Sequence, residues 1–241
     1  MRDLPILFKP DMHRAIRERR KTETRRIVKI PKWAEPGTVE EDNDCKGGLM
    51  AIYDKTGCFS TIKPRYQVGD RLWVKEAWRA RAAFDNLTPA EIGQRVGKEV
   101  RYELDGTMSF EQKLPFSAGK LRSSLFMPYW AARTWLEVTG VRAERLQEIT
   151  EEGAKAEGVH VGQRARLSGV PPHVTPCLIC GQPYRSHVGQ AACCFGRCGD
   201  VYCDCSYRGG YAWLWDQING KGSWDANPWV WVYQFKLWEA R

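Results

Sequence analysis

Arg20-Lys21-Thr22-Glu23-Thr24-Arg25-Arg26 separates two segments of different periodicity. Before it, Pro10-Asp11 opens a helix: proline at the first helical position gives up no intrahelical hydrogen bond, and an acid there meets the positive helix end. Met12, Ala15 and Ile16 follow at i, i+3, i+4 spacing and share the face that packs inward. The helix is expected to end near Arg19-Arg20. After it, Arg26-Ile27-Val28-Lys29-Ile30 reads as extended until Pro31, which disfavours helix in the residue before it. Lys21 and Thr24 are therefore expected on a helix-to-strand corner.

Working outward, Ile6-Leu7-Phe8 reads as a short buried strand. Residues 31–67 are rich in Pro, Gly and charge and form an irregular excursion, in which Met50–Tyr53 and Cys58–Ile62 are expected to pair as a hairpin. Gly69-Asp70 turns the chain into a strand over Arg71–Trp78, with Leu72, Val74 and Ala77 facing the core. Thr88-Pro89-Ala90-Glu91 is a capped helix start, and Val100–Leu104 a further strand. In Arg133–Val141, Thr134, Leu136 and Val138 alternate with Trp135, Glu137 and Thr139, the period of a half-buried strand. Thr150 caps a short helix over Glu151–Glu157, and Gly158 supplies its left-handed stop, leaving Glu157 in the last turn. Tyr211–Ile218 reads as a helix and Trp229–Leu237 as the closing strand. Strands and helices are not regularly alternated, so the class is α+β, one domain over 1–241 with a cysteine-rich insert at 163–208.

Composition narrows the function. Aromatic content is 12%, with 11 Trp, and 27% of residues are charged, enough for a packed core and against global disorder. No run of about 18 apolar residues exists, and Met1–Pro5 lacks the apolar stretch of a signal peptide, so a cytoplasmic protein without a membrane span is expected. The net charge of +8 is concentrated, because residues 1–30 carry ten Lys or Arg against four acids. Arg14, Arg17, Arg20, Arg25 and Arg26, with Arg19, Lys21 and Lys29, form a candidate face for neutralising phosphates of RNA or another single-stranded nucleic acid. Trp33, Trp78, Trp130 and Trp224 are candidates to stack an unpaired base. Trp73, Trp135, Trp213, Trp229 and Trp231 fit core positions.

Seven of the nine cysteines lie between Cys177 and Cys205. In a reducing compartment such density favours metal ligation over disulfides. Cys177-Leu178-Ile179-Cys180-Gly181 is a C-x-x-C-Gly knuckle whose turn directs two thiolates at one ion. The second pair is drawn from Cys193, Cys194, Cys198, Cys203 and Cys205, with His187 as an outsider; Cys198 and Cys203 complete the candidate set. No Asp or Glu stands beside the knuckle to hold a water, so the expected zinc is structural.

Lys21, Thr24 and Arg26 match the signature Gly-x-Lys-x-x-Thr-x-Arg, with Arg19 in the place of its glycine. Val68-Gly69-Asp70-Arg71-Leu72, Leu136-Glu137-Val138-Thr139 and Ala154-Lys155-Ala156-Glu157-Gly158 follow in matching order. In these the chain resembles the ASCH domain of the PUA-like superfamily. Through Arg71-Leu72-Trp73-Val74, Phe126-Met127-Pro128, Leu214-Trp215-Asp216 and Asn227-Pro228-Trp229-Val230-Trp231 it is similar to long phage and prophage ASCH proteins. The resemblance implies a PUA-like mixed β-barrel with flanking helices, whose cleft takes RNA or a modified nucleoside, in a bacterial host or prophage. One branch of the family hydrolyses the acetyl amide of acetylcytidine. There the matching positions would be Thr24 as nucleophile, Lys21 as base and Glu157 as acid.

That chemistry has a physical basis: metal-free amide hydrolysis needs a nucleophile, a base for its proton and an acid for the leaving amine. Lysine serves as the base only when partly neutral, and Arg20, Arg25 and Arg26 would push Lys21 that way. Glu76 and Glu137 are reserve acids. Two non-enzymatic readings stand beside this one: a reader of RNA or DNA in which Lys21 contacts phosphate and Thr24 ties the corner, and a phage-encoded adaptor that binds protein through its zinc module.

Overall fold

The computed structural model describes residues 1–31, 33, 39–41, 50–53, 56–57, 59–95, 100–102, 117–159 and 207–239. Along these the chain runs β1 (Asp3–Leu7), α1 (Pro10–Arg17), β2 (Glu23–Ile27), β3 (Val39–Glu41), β4 (Met50–Tyr53), β5 (Phe59–Ile62), β6 (Arg71–Lys75), β7 (Trp78–Arg79), α2 (Pro89–Arg95), β8 (Arg101–Tyr102), β9 (Trp135–Arg145), α3 (Glu151–Ala156), α4 (Tyr207–Asn219) and β10 (Trp229–Leu237). The class is α+β, as expected. The excursion carries the expected hairpin, β4 against β5, and adds β3 on its other side.

A mixed five-stranded sheet holds the fold in the order β1-β6-β9-β10-β2. β1 runs parallel to β6, and the other pairs are antiparallel. β10 is apolar along nearly its whole length because both its faces are covered. Trp231, Tyr233 and Phe235 pack with Ile16, Leu72, Val74, Leu136 and Val138 on one side. Val230 and Val232 pack on the other with Leu146 and Ile149, just ahead of α3, and with Tyr211, Leu214 and Trp215 of α4. A third core of Trp78, Ala80, Ile92, Met127 and Ala131 gathers around β7 and α2.

Among the described residues the sheet is open, with β1 and β2 as its two edges, so the mixed β-barrel that was expected is represented here by a five-stranded mixed sheet. Side chains occupy the seam where a ladder would close. Arg26 of β2 donates to the Leu7 carbonyl of β1 at 2.7 Å, and the Tyr66 hydroxyl donates to the Pro5 carbonyl at 2.8 Å. Pro5 has no N–H to offer a neighbouring strand, so an edge position suits it.

Several boundaries differ from the sequence reading. α1 stops at Arg17, and β2 begins at Glu23 because Glu23, Thr24 and Arg25 pair with Gln234, Tyr233 and Val232. The expected strand Arg71–Trp78 breaks after Lys75, where Glu76 turns inward to Arg133, and Ala77 is only half-buried. α4 starts at Tyr207, where the Glu151 carboxylate accepts from the backbone N–H of Tyr207 and Arg208 at 2.9 and 3.2 Å. The cysteine-rich insert, with Cys177, Cys180, Cys198 and Cys203, lies outside the described residues. Among the described residues no helix is long and apolar enough to cross a membrane.

Candidate functional site

The corner is built by two backbone turns and a docked helix end. Arg19 takes φ 59, the left-handed conformation. It stands where the signature has glycine, so an arginine makes the bend that glycine makes without steric cost. The backbone N–H groups of Arg20 and Lys21 both donate to the Ala15 carbonyl, at 2.8 and 3.1 Å, closing the end of α1. The end of α3 then seats on the corner: Lys21 and Glu157 form an isolated antiparallel bridge, and Thr22 N–H donates to the Ala156 carbonyl at 2.8 Å. Gly158 allows this approach. It has φ +82, and a Cβ there would lie 2.8 Å from the Lys21 Cβ and 3.0 Å from the Ala15 Cβ.

A buried charge network follows. The Lys21 ammonium donates to the Glu157 carboxylate and, at 2.9 Å, to the Glu157 carbonyl. Arg25, with only 1% of its side chain exposed, donates to Glu144 at 2.7 Å and Glu157 at 3.2 Å, and lies 3.4 Å from Glu23. The Tyr211 hydroxyl donates to Glu157 at 3.2 Å, while Arg142 bridges Glu23 and Glu144. Lys21, Arg25 and Arg142 thus face Glu23, Glu144 and Glu157. Burial pushes the Lys21 ammonium below its ordinary range, against the pull of Glu157, with a smaller push from Arg26 and Arg25. Burial also pushes the Tyr211 phenol well up, assisted by the charge of Glu157. For Arg25, burial is outweighed by Glu157 and Glu144, which hold the guanidinium above its ordinary value.

Of the three candidate catalytic residues, the structure joins Lys21 to Glu157 and leaves Thr24 apart. Thr24 is buried on β2, where it pairs with Tyr233 of β10. Its strand neighbours Glu23 and Arg25 point to the other face of the sheet.

A cleft of about 560 Å³ opens along the β1–β2 seam. Arg26, Lys29, Lys63, Arg65 and Lys75 line it, and among the described residues no carboxylate does. Tyr66, Trp231 and Tyr233 supply aromatic walls. The two tyrosine rings meet edge to face at 5.0 Å, and burial raises both phenols, Tyr233 to about 12, so both stay neutral hydrogen-bonding groups.

The candidate basic face disperses. Arg26 alone of the five reaches this cleft. Arg14 pairs with Asp11 at 3.3 Å, Arg20 with Glu18 and the Gly158 carbonyl, and Arg17 is exposed on α1. Among the candidate stacking residues Trp78 is fully buried with Trp130 edge-on against it, Trp224 packs on Tyr211, and Trp33 is 51% exposed. Of the core tryptophans, Trp73 and Trp231 are buried and Trp135, Trp213 and Trp229 half-buried. Glu76 is held by Arg133 at 2.9 and 2.8 Å, and Glu137 pairs with Lys236 at 3.1 Å. Among the described residues no group of His, Cys, Asp and Glu is placed to hold a metal.

Sequence reasoning missed Lys63, Arg65 and Tyr66, which belong to the excursion. The signal was present, since Lys63-Pro64-Arg65-Tyr66 interleaves cations with an aromatic ring just before the Gly69-Asp70 turn. It also missed Tyr211, a polar tip on an otherwise apolar helix face. No protein-family model, curated protein or solved structure matches the chain.

Proposed function

We propose that the chain is a PUA-like protein of ASCH type that recognises a nucleobase or nucleic-acid segment in the seam cleft. The observation that carries this reading is the cleft's lining, five cations and, among the described residues, no carboxylate, over three aromatic side chains. Such a surface attracts phosphate, and the buried aromatic rings beneath give it a rigid apolar floor. The test is a titration of the purified chain with nucleotides and short single strands at several salt concentrations. Affinity should fall with log salt at a slope of about −0.7 for each phosphate neutralised on a single strand. Binding that ignores salt, or none at low salt, defeats the reading.

Amide hydrolysis of an acetylated cytosine is a second reading, favoured by the Lys21 ammonium that burial pushes toward its neutral form beside Glu157. In this reading the Lys21 ammonium first passes a proton to Glu157. Thr24 then attacks the acetyl carbonyl as the neutral Lys21 takes its hydroxyl proton, Glu157 protonates the departing amine as the C–N bond breaks, and water hydrolyses the acetyl-threonine ester. Incubation with acetylcytidine, read by mass, tests it against Thr24→Val, which removes the hydroxyl and keeps the shape. The cysteine-rich insert is proposed as a structural zinc module, since clustered thiolates are the donor set that zinc selects. Elemental analysis should find about one zinc per chain, and removing it should open 163–208 to protease.

A further inference from the structure

We propose that Phe126, together with Tyr129, forms a stacking platform on the rim of the seam cleft, so that the occupant is a single-stranded nucleic acid of several nucleotides rather than one nucleoside. The proposal rests on the cleft reading above and extends it. Phe126 is 67% exposed, Leu125 59% and Tyr129 49%. Among the described residues Phe126 has no ring partner, and two thirds of it is open to solvent.

This exposure is held in place by the backbone. Phe126 N–H and Met127 N–H donate to the Ser123 and Ser124 carbonyls, each at 3.1 Å, forming a single 3-10 turn over Ser124–Phe126. The Ser123 hydroxyl accepts from Leu125 N–H at 3.3 Å. Met127 is anchored in the third core, 2% exposed, and its sulfur accepts from Glu76 N–H. The ammonium of Lys75 donates to the Leu125 carbonyl at 2.6 Å. A turn fixed on both sides presents its aromatic ring at little entropic cost, which is what a stacking surface requires.

Continuity with the cleft supplies the direction of the chain. Lys75 and Leu125 line the cleft and also hold the turn that carries Phe126. Tyr129 follows on the same segment, with its ring held edge to face against Trp73 at 6.0 Å and Trp135 at 5.1 Å and its hydroxyl donating to Asp3 at 3.0 Å. A strand whose phosphates lie along the cleft cations would therefore pass its next bases over Phe126 and Tyr129. A duplex has no free base faces to offer these rings, and a single nucleoside is too short to reach them.

The experiment titrates the full chain with a fluorescein-labelled oligothymidylate of about ten nucleotides, with thymidine monophosphate, and with a duplex of the same length. The oligothymidylate should bind more tightly than the mononucleotide. Phe126→Ala should weaken it about tenfold or more and leave the mononucleotide and the duplex unchanged. Phe126→Leu should behave like alanine and Phe126→Trp like the parent, since the ring face and not apolarity does the binding. Tyr129→Ala disturbs packing on Trp73 and Trp135, so the exposed Phe126 decides the test. Oligothymidylate binding that is unmoved by Phe126→Ala, or restored by leucine, overturns the platform while leaving the cleft reading intact, and assigns the patch to an apolar partner. Failure of both the oligomer and the mononucleotide to bind overturns both.

Discussion

Arg25 and Arg26 are consecutive on β2, and the pleat sends them to opposite faces of the sheet. Arg25 enters a buried network in which Glu144, Glu157 and Glu23 surround it at 2.7, 3.2 and 3.4 Å. Arg26 reaches the seam, donates to a backbone carbonyl of the opposite edge and shares the cleft with four other cations. Phe8 lies between, with the Lys21 ammonium 5.7 Å and the Arg26 guanidinium 5.3 Å from its ring centre. Both regions draw on the same basic run. Inside, each charge must be paired because burying it alone is too costly, so the network satisfies itself. At the seam, water screens the cations, so they are tolerated without carboxylate partners.

The largest expected effect comes from unbalancing the inner region. Glu157→Leu leaves Lys21 and Arg25 buried without their shared carboxylate and should cost about 3–5 kcal/mol in urea denaturation. The double variant Lys21→Met, Glu157→Leu should recover a large part of this, because a well-packed apolar pair can replace a buried ion pair. A single-variant cost under about 1 kcal/mol would mean that the network is not sealed from water, and the contrast with Arg26 would break. Gly158→Ala should cost somewhat less, about 1–3 kcal/mol, from a residue forced into the left-handed region against Lys21 and Ala15.

Substitutions in the cleft should show the opposite pattern. Lys63→Ala and Arg65→Ala should leave stability within about 0.5 kcal/mol, yet each should weaken single-strand binding and reduce its salt dependence by about one phosphate. A cleft residue whose loss unfolds the protein would move that residue to the structural side of the comparison.

How far the sequence reveals these regions depends on the range of the forces that shape them. The Thr134–Val138 alternation, the Thr150 cap, the Gly158 stop and the closing strand Trp229–Leu237 are local patterns, and the structure follows each. The Lys21–Glu157 pairing was legible only through an ordered set of motifs, because 136 residues separate the two. The cleft was not legible as a site. Its cations come from β2 and the residues just after it, the stretch after β5 and the end of β6, and only the approach of two sheet edges brings them together. The basic face failed to form as a unit for a related reason: on a strand, consecutive arginines cannot share a face, and Glu18 and Asp11 take up Arg20 and Arg14 locally.

Glu23 offers the smallest and most discriminating effect, since it sits at the outer end of the inner network. Burial would raise its carboxyl, but hydrogen bonds from Gln234 at 2.8 Å and from Arg142, with the charges of Arg142 and Arg25, carry it below its ordinary value of 4.5. The folded protein therefore releases this proton more readily than the unfolded chain does, so the charged form favours folding. That contribution is fully present above pH 4.5 and is lost as pH falls through the lower folded value. Glu23→Gln keeps the shape and removes the charge. At neutral pH it should be less stable than the parent by under about 1 kcal/mol, the modest size expected of a pairing that includes the partly exposed Arg142. As the solution is acidified below pH 4.5, the difference between the two proteins should shrink, because the parent's own carboxylate is protonated. Urea midpoints for both proteins at several pH values supply the measurement. A difference that holds constant through the acid range would show that Glu23 acts through its shape and not its charge, and would confine the buried network to Lys21, Arg25, Glu144 and Glu157.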